Sequence, residues 1–390
     1  MHVVEIVRRL LSGVNIHAKR LQAVVCAVAA ITIARRLSVS AMGKAFWGVS
    51  TTKHSIKRFD RLLSNKLLFK DLTLLYQQLA HRILEPEQRT IVLIDWTHIC
   101  GPFHALVAAV SFKGRAVTVL SEVRPEKQLG NTLVQRRFLE RLKSILPEGC
   151  RPVIVSDAGF HGDFFRTAVA LGWDFVGRIR GTARIFHDDK CFTKESLYRR
   201  ATAIPQDLAQ CRMYANNPMS VRLVLVHKPH SRRRTKPSRS KDLIAYRKSA
   251  RDPWLLATSL PVTTTPESVI AVYSCRMQIE ETFRDMKSDR FGLGLGYIRS
   301  KSPKRIAVLL ALAAIAMLVV MLVGFHAERS GEHRKLQANT SKRRVLSLFT
   351  VGVTMLARQF LTPLNQIIES FQAIVCLGSA HRPLRFCGDP

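Results

Sequence analysis

The segment from Tyr273 to Lys287 carries the residue types best suited to chemistry. A tyrosine, an arginine, a glutamate and a lysine stand at positions 273, 276, 280 and 287. On one continuous helix these four side chains would lie within about 60° of one another. A separate apolar stripe is formed by Val272, Cys275, Ile279, Phe283 and Met286. The polar face left for solvent is formed by Gln278, Glu281, Thr282 and Asp285. A surface helix needs only two faces, so the third, a carboxylate between cations, predicts an anionic ligand and a metal ion.

Two further carboxylates follow apolar runs that are typical of buried strands. Asp95 ends the run from Thr90, and Asp157 ends the run from Pro152. Taken alone, Asp95 and Asp157 are each interpreted as turn residues after a strand, and Glu280 as one half of a surface ion pair. Together, three carboxylates without Cys or His neighbours are ligands for Mg²⁺ or Mn²⁺. Two such ions, about 3.5–4 Å apart, suit in-line phosphoryl transfer.

The cations beside Glu280 then have a role in the same chemistry. Arg276 and Lys287 are predicted to bind phosphates, and Arg276 can do so with two hydrogen bonds. The Tyr273 hydroxyl can donate to a phosphate oxygen.

The elements that must position these residues alternate in a recognisable order. From Thr90 to Arg180 the pattern predicts β-β-β-α-β-α-β, with Lys113-Gly114 as a two-residue hairpin turn. This order indicates an α/β fold with a ribonuclease H-like mixed sheet. In that sheet the first and fourth strands are neighbours, so we expect Asp95 and Asp157 to lie side by side.

Residues 184–262 interrupt the pattern with a β-strand insertion. Ser220–His227 and Trp254–Ser259 read as strands, and Trp254 is either a core aromatic or a ligand contact. The Arg-, Pro- and Ser-containing run Ser231–Lys241 predicts a basic loop.

The first 85 residues are predicted to form a helical DNA-binding domain. A short helix over Ser40–Trp47, a turn at Gly48 and a second helix from Ser50 or Thr51 to Ser64 suggest a helix-turn-helix. Its basic face would be formed by Lys53, His54, Lys57, Arg58 and Arg61. The alternative is a helical bundle whose basic face is only solvated.

The composition supports a polyanionic partner. There are 61 Lys and Arg against 28 Asp and Glu, a net charge of +33. This excess predicts a nucleic-acid ligand, and the alternative is an anionic membrane surface. The 8 cysteines are scattered without a Cys-x-x-Cys pair, which is typical of reduced thiols. No signal peptide is expected, because charged residues precede any long apolar run.

One segment allows a membrane alternative. Ile306–Val323 is an unbroken apolar run at the threshold length of a membrane span. Its alanines and the basic residues at both ends favour a buried core helix.

The spacing Tyr-x2-Arg-x3-Glu-x6-Lys of residues 273–287 resembles the signature of a family of bacterial insertion-sequence DDE transposases, and in particular the Tn-ten type. Four other stretches are similar to that type, namely Lys53–Leu63, Ile94–Trp96, Val155–Phe160 and Pro253–Thr258. The resemblance spans roughly residues 15–345.

The resemblance implies an acid triad of Asp95, Asp157 and Glu280 that binds two Mg²⁺ or Mn²⁺ ions. It implies cut-and-paste transposition of double-stranded DNA, in which a hairpin forms at the transposon end and the 3′ ends join target DNA. It further implies that a flipped base stacks on Trp254 and that a homodimer holds both ends. We therefore expect a bacterial, cytoplasmic and nucleoid-associated enzyme that does not require a membrane.

The predicted domain limits follow from these readings. After the helical domain over 1–85, the catalytic domain occupies 86–183 and 263–330 around the insertion at 184–262, and a helical region over 331–390 offers dimer contacts. The alternative function is an inactive or regulatory protein that binds transposon ends without cleaving them.

Overall fold

The computed structural model describes residues 2–46, 51–87, 89–181, 183–188, 190–228, 252–358 and 366–367. They form two compact units. Of the described residues, those up to Pro152 and those from Met277 onward form the first unit, and Val153–Arg276 contains those of the second. Asp95 and Glu280 therefore belong to the first unit, and Asp157 belongs to the second.

The first unit begins with five helices, His2–Leu10, Ala18–Ala34, Val39–Ala45, Thr52–Leu63 and Lys66–Ile83. Side-chain caps set where the middle ones start. Ser38 Oγ accepts from the Ala41 N–H at 3.2 Å, and Thr51 Oγ1 accepts from the His54 N–H at 3.5 Å. These caps satisfy N–H groups that have no partner inside the helix. The two predicted helices are thus present, while the predicted turn at Gly48 lies outside the described residues.

The helices Val39–Ala45 and Thr52–Leu63 pack very closely. A Cβ atom on Gly43 would lie 2.8 Å from the backbone of Ile56, so only glycine allows this approach. The rings of Phe46 and Phe59 meet edge to face, with centroids 5.5 Å apart. This packing leaves the basic side of the second helix in solvent.

Three antiparallel strands follow, β1 (Arg89–Cys100), β2 (Phe103–Phe112) and β3 (Arg115–Pro125). Lys113 and Gly114 both have positive φ angles, 43° and 88°, as the predicted two-residue hairpin requires. The prediction that β1 ends at Asp95 is wrong. The β1–β2 ladder continues to the Cys100–Phe103 pair, so Asp95 lies within the strand opposite Val107.

The remaining helices of the first unit are Thr132–Ile145, Met277–Lys287, Pro303–Arg329 and Leu348–Ala357. Within the predicted helical region 331–390, an α-helix begins at Leu348, where Ser347 caps it through the Thr350 N–H at 3.0 Å. Beyond residue 358, only 366–367 are described.

The helix Pro303–Arg329 forms the core of the first unit. Every residue from Ile306 to Ala327 is buried, on all sides of the helix. It packs against β3 and the helices Ala18–Ala34, Lys66–Ile83 and Leu348–Ala357. By length and composition it could also cross a membrane, yet 94% of its apolar window is buried within the protein. Burial on every side is what the core of a large protein provides for such a helix.

The second unit is a sheet with helices. Its strands are β4 (Arg151–Ser156), β5 (Asp174–Arg178), β6 (Ile185–His187), β7 (Lys190–Phe192), β8 (Gln206–Met213), β9 (Met219–Val226) and β10 (Trp254–Thr258). They are arranged β4-β5-β10-β9-β8-β6-β7, with β4 and β5 parallel. Its helices are Gly162–Ala170, Lys194–Tyr198 and Pro266–Ser274. Along the chain, the predicted order β-β-β-α-β-α-β is present.

A buried arginine ties the inserted strands to the segment that leads into the helix Pro266–Ser274. Arg222 on β9 is 1% exposed. Its Nη2 lies 2.6 Å from Asp207 Oδ2 on β8, and its Nη1 donates to the carbonyls of Pro261 and Thr264. The predicted basic loop Ser231–Lys241 lies outside the described residues.

Candidate active site

The predicted single helix over 273–287 is wrong. One helix ends at Ser274 and the next begins at Met277. The N–H groups of Cys275 and Arg276 bond to carbonyls three residues back, those of Val272 and Tyr273. This tighter pattern ends an α-helix, and the Ser274 hydroxyl, which donates to the Ile270 carbonyl at 2.7 Å, favours a bend there.

In the first unit, Lys287 and Asp95 share one electrostatic environment. Partial loss of water lowers the pKa of the Lys287 ammonium, and the Asp95 carboxylate opposes this shift. Asp95 is half-buried, and its Oδ1 accepts the Trp96 N–H at 2.8 Å. Glu280, also half-buried, lies two helical turns before Lys287 and therefore on the same face.

The face of the helix Met277–Lys287 that was predicted to be in solvent instead forms hydrogen bonds with the β2–β3 hairpin. Gln278 Oε1 accepts from the Ser111 hydroxyl at 3.0 Å and the Phe112 N–H at 2.9 Å. Thr282 Oγ1 accepts from the Ala116 N–H at 2.7 Å and is 1% exposed. The solvent-face prediction is therefore wrong for this side of the helix.

An ion pair between the partly buried Arg115 and the buried Asp285 completes this contact. Arg115 Nε lies 2.6 Å from Asp285 Oδ2. Burial raises the pKa of the Asp285 carboxyl, and Arg115 opposes the rise. We call Gln278, Thr282 and Asp285, with their partners on the β2–β3 hairpin, the polar belt. It fixes the rotation of the helix that carries Glu280, and the spacing 278, 282, 285 is the i, i+4, i+7 signal of a packed face.

Replacing Arg115 with leucine is expected to destabilise the protein by roughly 3–5 kcal/mol, because it leaves the Asp285 carboxylate buried without its cation. The loss should shrink as the pH falls towards about 4, where protonation removes that charge. Urea unfolding at both pH values measures it. The double variant with Asp285→Leu is the control and should be more stable at neutral pH than Arg115→Leu alone. Equal loss at both pH values would contradict the burial of a charge.

In the second unit, Asp157 directly follows β4, as predicted. Its Oδ1 accepts the Gly159 N–H at 2.8 Å, which orients the half-buried carboxylate. The Tyr273 hydroxyl lies within the field of this acid. Burial raises the pKa of Tyr273, Arg276 and Arg178 oppose the rise, and Asp157 adds to it. Asp157 therefore lies near a phenol hydroxyl and guanidinium groups, which are groups able to bind a phosphate.

Trp254 begins β10 beside Tyr273. The two rings meet at 78° with centroids 4.8 Å apart, and Trp254 remains partly exposed. The Lys228 ammonium lies 4.5 Å from the indole centroid and donates to Ser274 Oγ at 2.8 Å. Arg178 Nη2 donates to the carbonyl of Asp252 at 2.9 Å and so holds the chain leading into Trp254. Sequence reasoning missed Lys228 and Arg178, which stand outside the signature.

The four cations predicted to contact DNA from the amino-terminal helices, Lys53, Lys57, Arg58 and Arg61, are all exposed on the helix Thr52–Leu63. The Arg58 guanidinium lies 5.4 Å from the Phe46 ring centroid and 3.6 Å from Cys26 Sγ. Asp60 on the same helix pairs with Arg305 at 2.6 Å. The helix therefore presents these cations to solvent, while Arg58 and Asp60 also contact neighbouring residues.

The predicted metal ligands divide between the units. Among the described residues of either unit, no group of three or more His, Cys, Asp or Glu side chains is arranged to hold a metal ion. Carboxylates oriented by a backbone N–H, as in Asp95 and Asp157, suit Mg²⁺ or Mn²⁺. The triad with Glu280 stays a prediction.

Comparisons with known proteins give the family. No curated protein matches the chain. A cryo-EM structure of the piggyBac transposase synaptic complex with hairpin DNA is similar at 11% identity and a TM-score of 0.44, covering 98% of this chain and 80% of that one. The family described as transposase DDE domain matches residues 86–319, more than half of the chain. The chain is therefore a DDE-type transposase, a member of the transposase DDE domain family.

Proposed function

We propose that the protein is a cut-and-paste transposase of the bacterial insertion-sequence type with the Tyr-Arg-Glu-Lys signature. The observation that carries this proposal is the surroundings of Asp157. The Asp157 carboxylate is oriented by the Gly159 N–H, and its charge acts on the Tyr273 hydroxyl together with those of Arg178 and Arg276. The indole of Trp254 contacts the Tyr273 ring. Hydrogen-bond donors and cations around an acid suit a phosphodiester that reacts at that acid.

Asp95, Asp157 and Glu280 are the proposed ligands of two Mg²⁺ or Mn²⁺ ions, in a ribonuclease H-like catalytic domain. When bound, the ions supply activation of the attacking oxygen and neutralisation of charge on the leaving oxygen. Arg276 and Lys287 hold the neighbouring phosphates, and the Tyr273 hydroxyl, kept protonated by its raised pKa, donates to one.

The proposed reaction begins with attack of water on one strand at the transposon end. The freed 3′-hydroxyl then attacks the opposite strand and closes a hairpin, which is reopened before the 3′ ends join target DNA. A tight hairpin strains its terminal bases, and stacking of a flipped base on Trp254 relieves that strain.

The exposed basic helix is proposed to bind the inverted-repeat ends of the transposon. Lys53, Lys57, Arg58 and Arg61 offer four phosphate contacts from one exposed helix. Two copies of the chain would hold the two ends in a homodimer, in the bacterial cytoplasm at the nucleoid.

A cleavage assay tests the function. Purified protein, Mg²⁺ and linear DNA that carries the inverted repeats flanking the reading frame should give a nick, then a hairpin, then a joined product on a gel. Binding of this DNA in a mobility-shift assay without any cleavage would instead favour the regulatory alternative.

Replacing Trp254 with alanine is expected to slow hairpin formation about tenfold while the first nick proceeds at nearly its normal rate, because base stacking on an aromatic ring is worth roughly 1–3 kcal/mol. Single-turnover kinetics with end-labelled DNA separate the two steps. Trp254→Phe is the matched variant and should recover most of the rate. Equal slowing of both steps would make Trp254 a core residue.

A further inference from the structure

A cavity of about 450 Å³ opens in the second unit next to the residue after Asp157. Its wall includes Ala158, the segment that follows β5, and the turn after β8. This volume falls within the roughly 300–1,000 Å³ of sites that enclose a small organic group. None of the sequence motifs described above assigns it a role.

The cavity wall is strongly cationic. Arg178, Arg180 and Arg184 line it, together with His161. Arg178 is 9% exposed, and within the described part of the chain its Nε has no hydrogen-bond partner. A buried donor without an acceptor costs free energy, so an anionic group in the cavity would be stabilised there.

Tyr214 supplies an aromatic wall held in an unusual conformation. Its φ of 69° lies in the left-handed region, which large residues rarely adopt and which is often found at functional sites. Its N–H donates to the Arg184 carbonyl at 3.0 Å, and the backbone of Gly162 bonds to its hydroxyl. A Cβ atom on Gly162 would lie 2.7 Å from the ring. The surroundings therefore keep this ring in the cavity wall.

An aromatic ring beside arginines suits an unpaired nucleotide. The base of any nucleotide has a face that can stack on the ring, and its phosphate carries a charge that arginine can neutralise. We propose that this cavity binds one unpaired nucleotide of a DNA strand, with its base against Tyr214 and its phosphate towards Arg180 and Arg184. The inference rests on the proposed function in one respect: strand cleavage beside Asp157 is what would expose such a nucleotide. Trp254 and its neighbours Tyr273 and Lys228 are not among the residues that line this cavity, and Arg178 lies between the cavity and the segment that leads into Trp254.

Binding of a fluorescent oligothymidylate to the full chain without metal tests the proposal, because it requires no cleavage. Tyr214→Leu should weaken this binding about tenfold, leave duplex DNA binding unchanged, and be rescued by Tyr214→Phe. Arg184→Gln should lower the slope of log affinity against log salt by about one. Arg199→Gln, which removes an exposed cation of the same unit outside the cavity, is the matched control and should retain the tyrosine-dependent preference for single strands.

Duplexes with a 3′ or a 5′ single-stranded extension distinguish the strand that supplies the nucleotide. The wild type should bind one of these two extended duplexes more tightly than a blunt duplex. The extension for which Tyr214→Leu abolishes this gain in affinity identifies the strand. The proposal is overturned if folded Tyr214→Leu binds oligothymidylate like the wild type. It is equally overturned if Tyr214→Phe binds as weakly as Tyr214→Leu, or if Tyr214→Leu weakens single-stranded and duplex binding alike. A protein that shows the expected binding but never cleaves DNA would refute the proposed function and leave this site standing.

Discussion

Replacing Asp157 with asparagine is expected to reduce DNA strand cleavage about a thousandfold or more while DNA binding survives, since a proposed ligand of two metal ions is lost. Asparagine is nearly isosteric, and its Oδ1 can still accept the Gly159 N–H that now orients the carboxylate. The fold should therefore persist. The same result is expected for Asp95→Asn, where the Trp96 N–H plays the same part, and for Glu280→Gln.

Cleavage of inverted-repeat DNA in Mg²⁺, alongside a mobility-shift assay for binding, measures both properties. Glu148→Gln is the matched control, because this exposed carboxylate belongs to none of the predicted motifs, and this variant should cleave normally. Near-normal cleavage by any one of the three variants would remove that residue from the triad. Loss of binding together with cleavage would instead indicate a folding defect, which thermal unfolding would reveal.

Replacing Gly352 with valine is expected to destabilise the first unit by about 3 kcal/mol or more, at the upper end of overpacking effects. A Cβ atom at Gly352 would lie 1.9 Å from the Val320 carbonyl oxygen, and one at Gly324 would lie 1.9 Å from that of Leu348. Both obstacles are backbone atoms of a facing helix, so no rotamer change can relieve the clash. The two helices would have to separate.

The midpoint of urea unfolding measures this loss. Gly352→Ala should also destabilise, although alanine favours a helix by about 1 kcal/mol over glycine. Gly296→Ala is the control, because no atom lies within 4 Å of a Cβ built there, and it should change stability by less than about 0.5 kcal/mol. A Gly352→Val protein as stable as the wild type would show that the helices do not meet at these glycines.

Local patterns in the chain were sufficient to predict much of the fold. Lys113-Gly114 predicted its hairpin because a two-residue turn depends on neighbouring residues alone. Thr51 predicted a helix start because a cap acts within three residues. The apolar run Ile306–Val323 predicted a buried helix because hydrophobicity on every side requires a core around it.

The candidate site was predictable in residue types more than in geometry. Asp157 stands directly after its strand as predicted, and Tyr273 lies with Arg276 in the field of that acid. The single helix from Tyr273 to Lys287 failed because periodicity cannot show where backbone bonds shorten from four residues to three. Asp95 was placed at a strand end because a carboxylate usually interrupts an apolar run, whereas pairing with β2 extends β1 beyond it.

The sequence by itself thus determined the chemistry available, three acids with a tyrosine and cations at a characteristic spacing, together with a strong positive charge and a helix that must be buried. Only the tertiary structure decided that Gln278, Thr282 and Asp285 face a hairpin, that Lys228 lies over Trp254, and that Tyr214 lines a cationic cavity. These contacts join residues far apart in the chain. The sequence does not show whether a polar side chain forms its hydrogen bonds with water or with a distant backbone group. Only the folded chain brings such a backbone group close enough to bond.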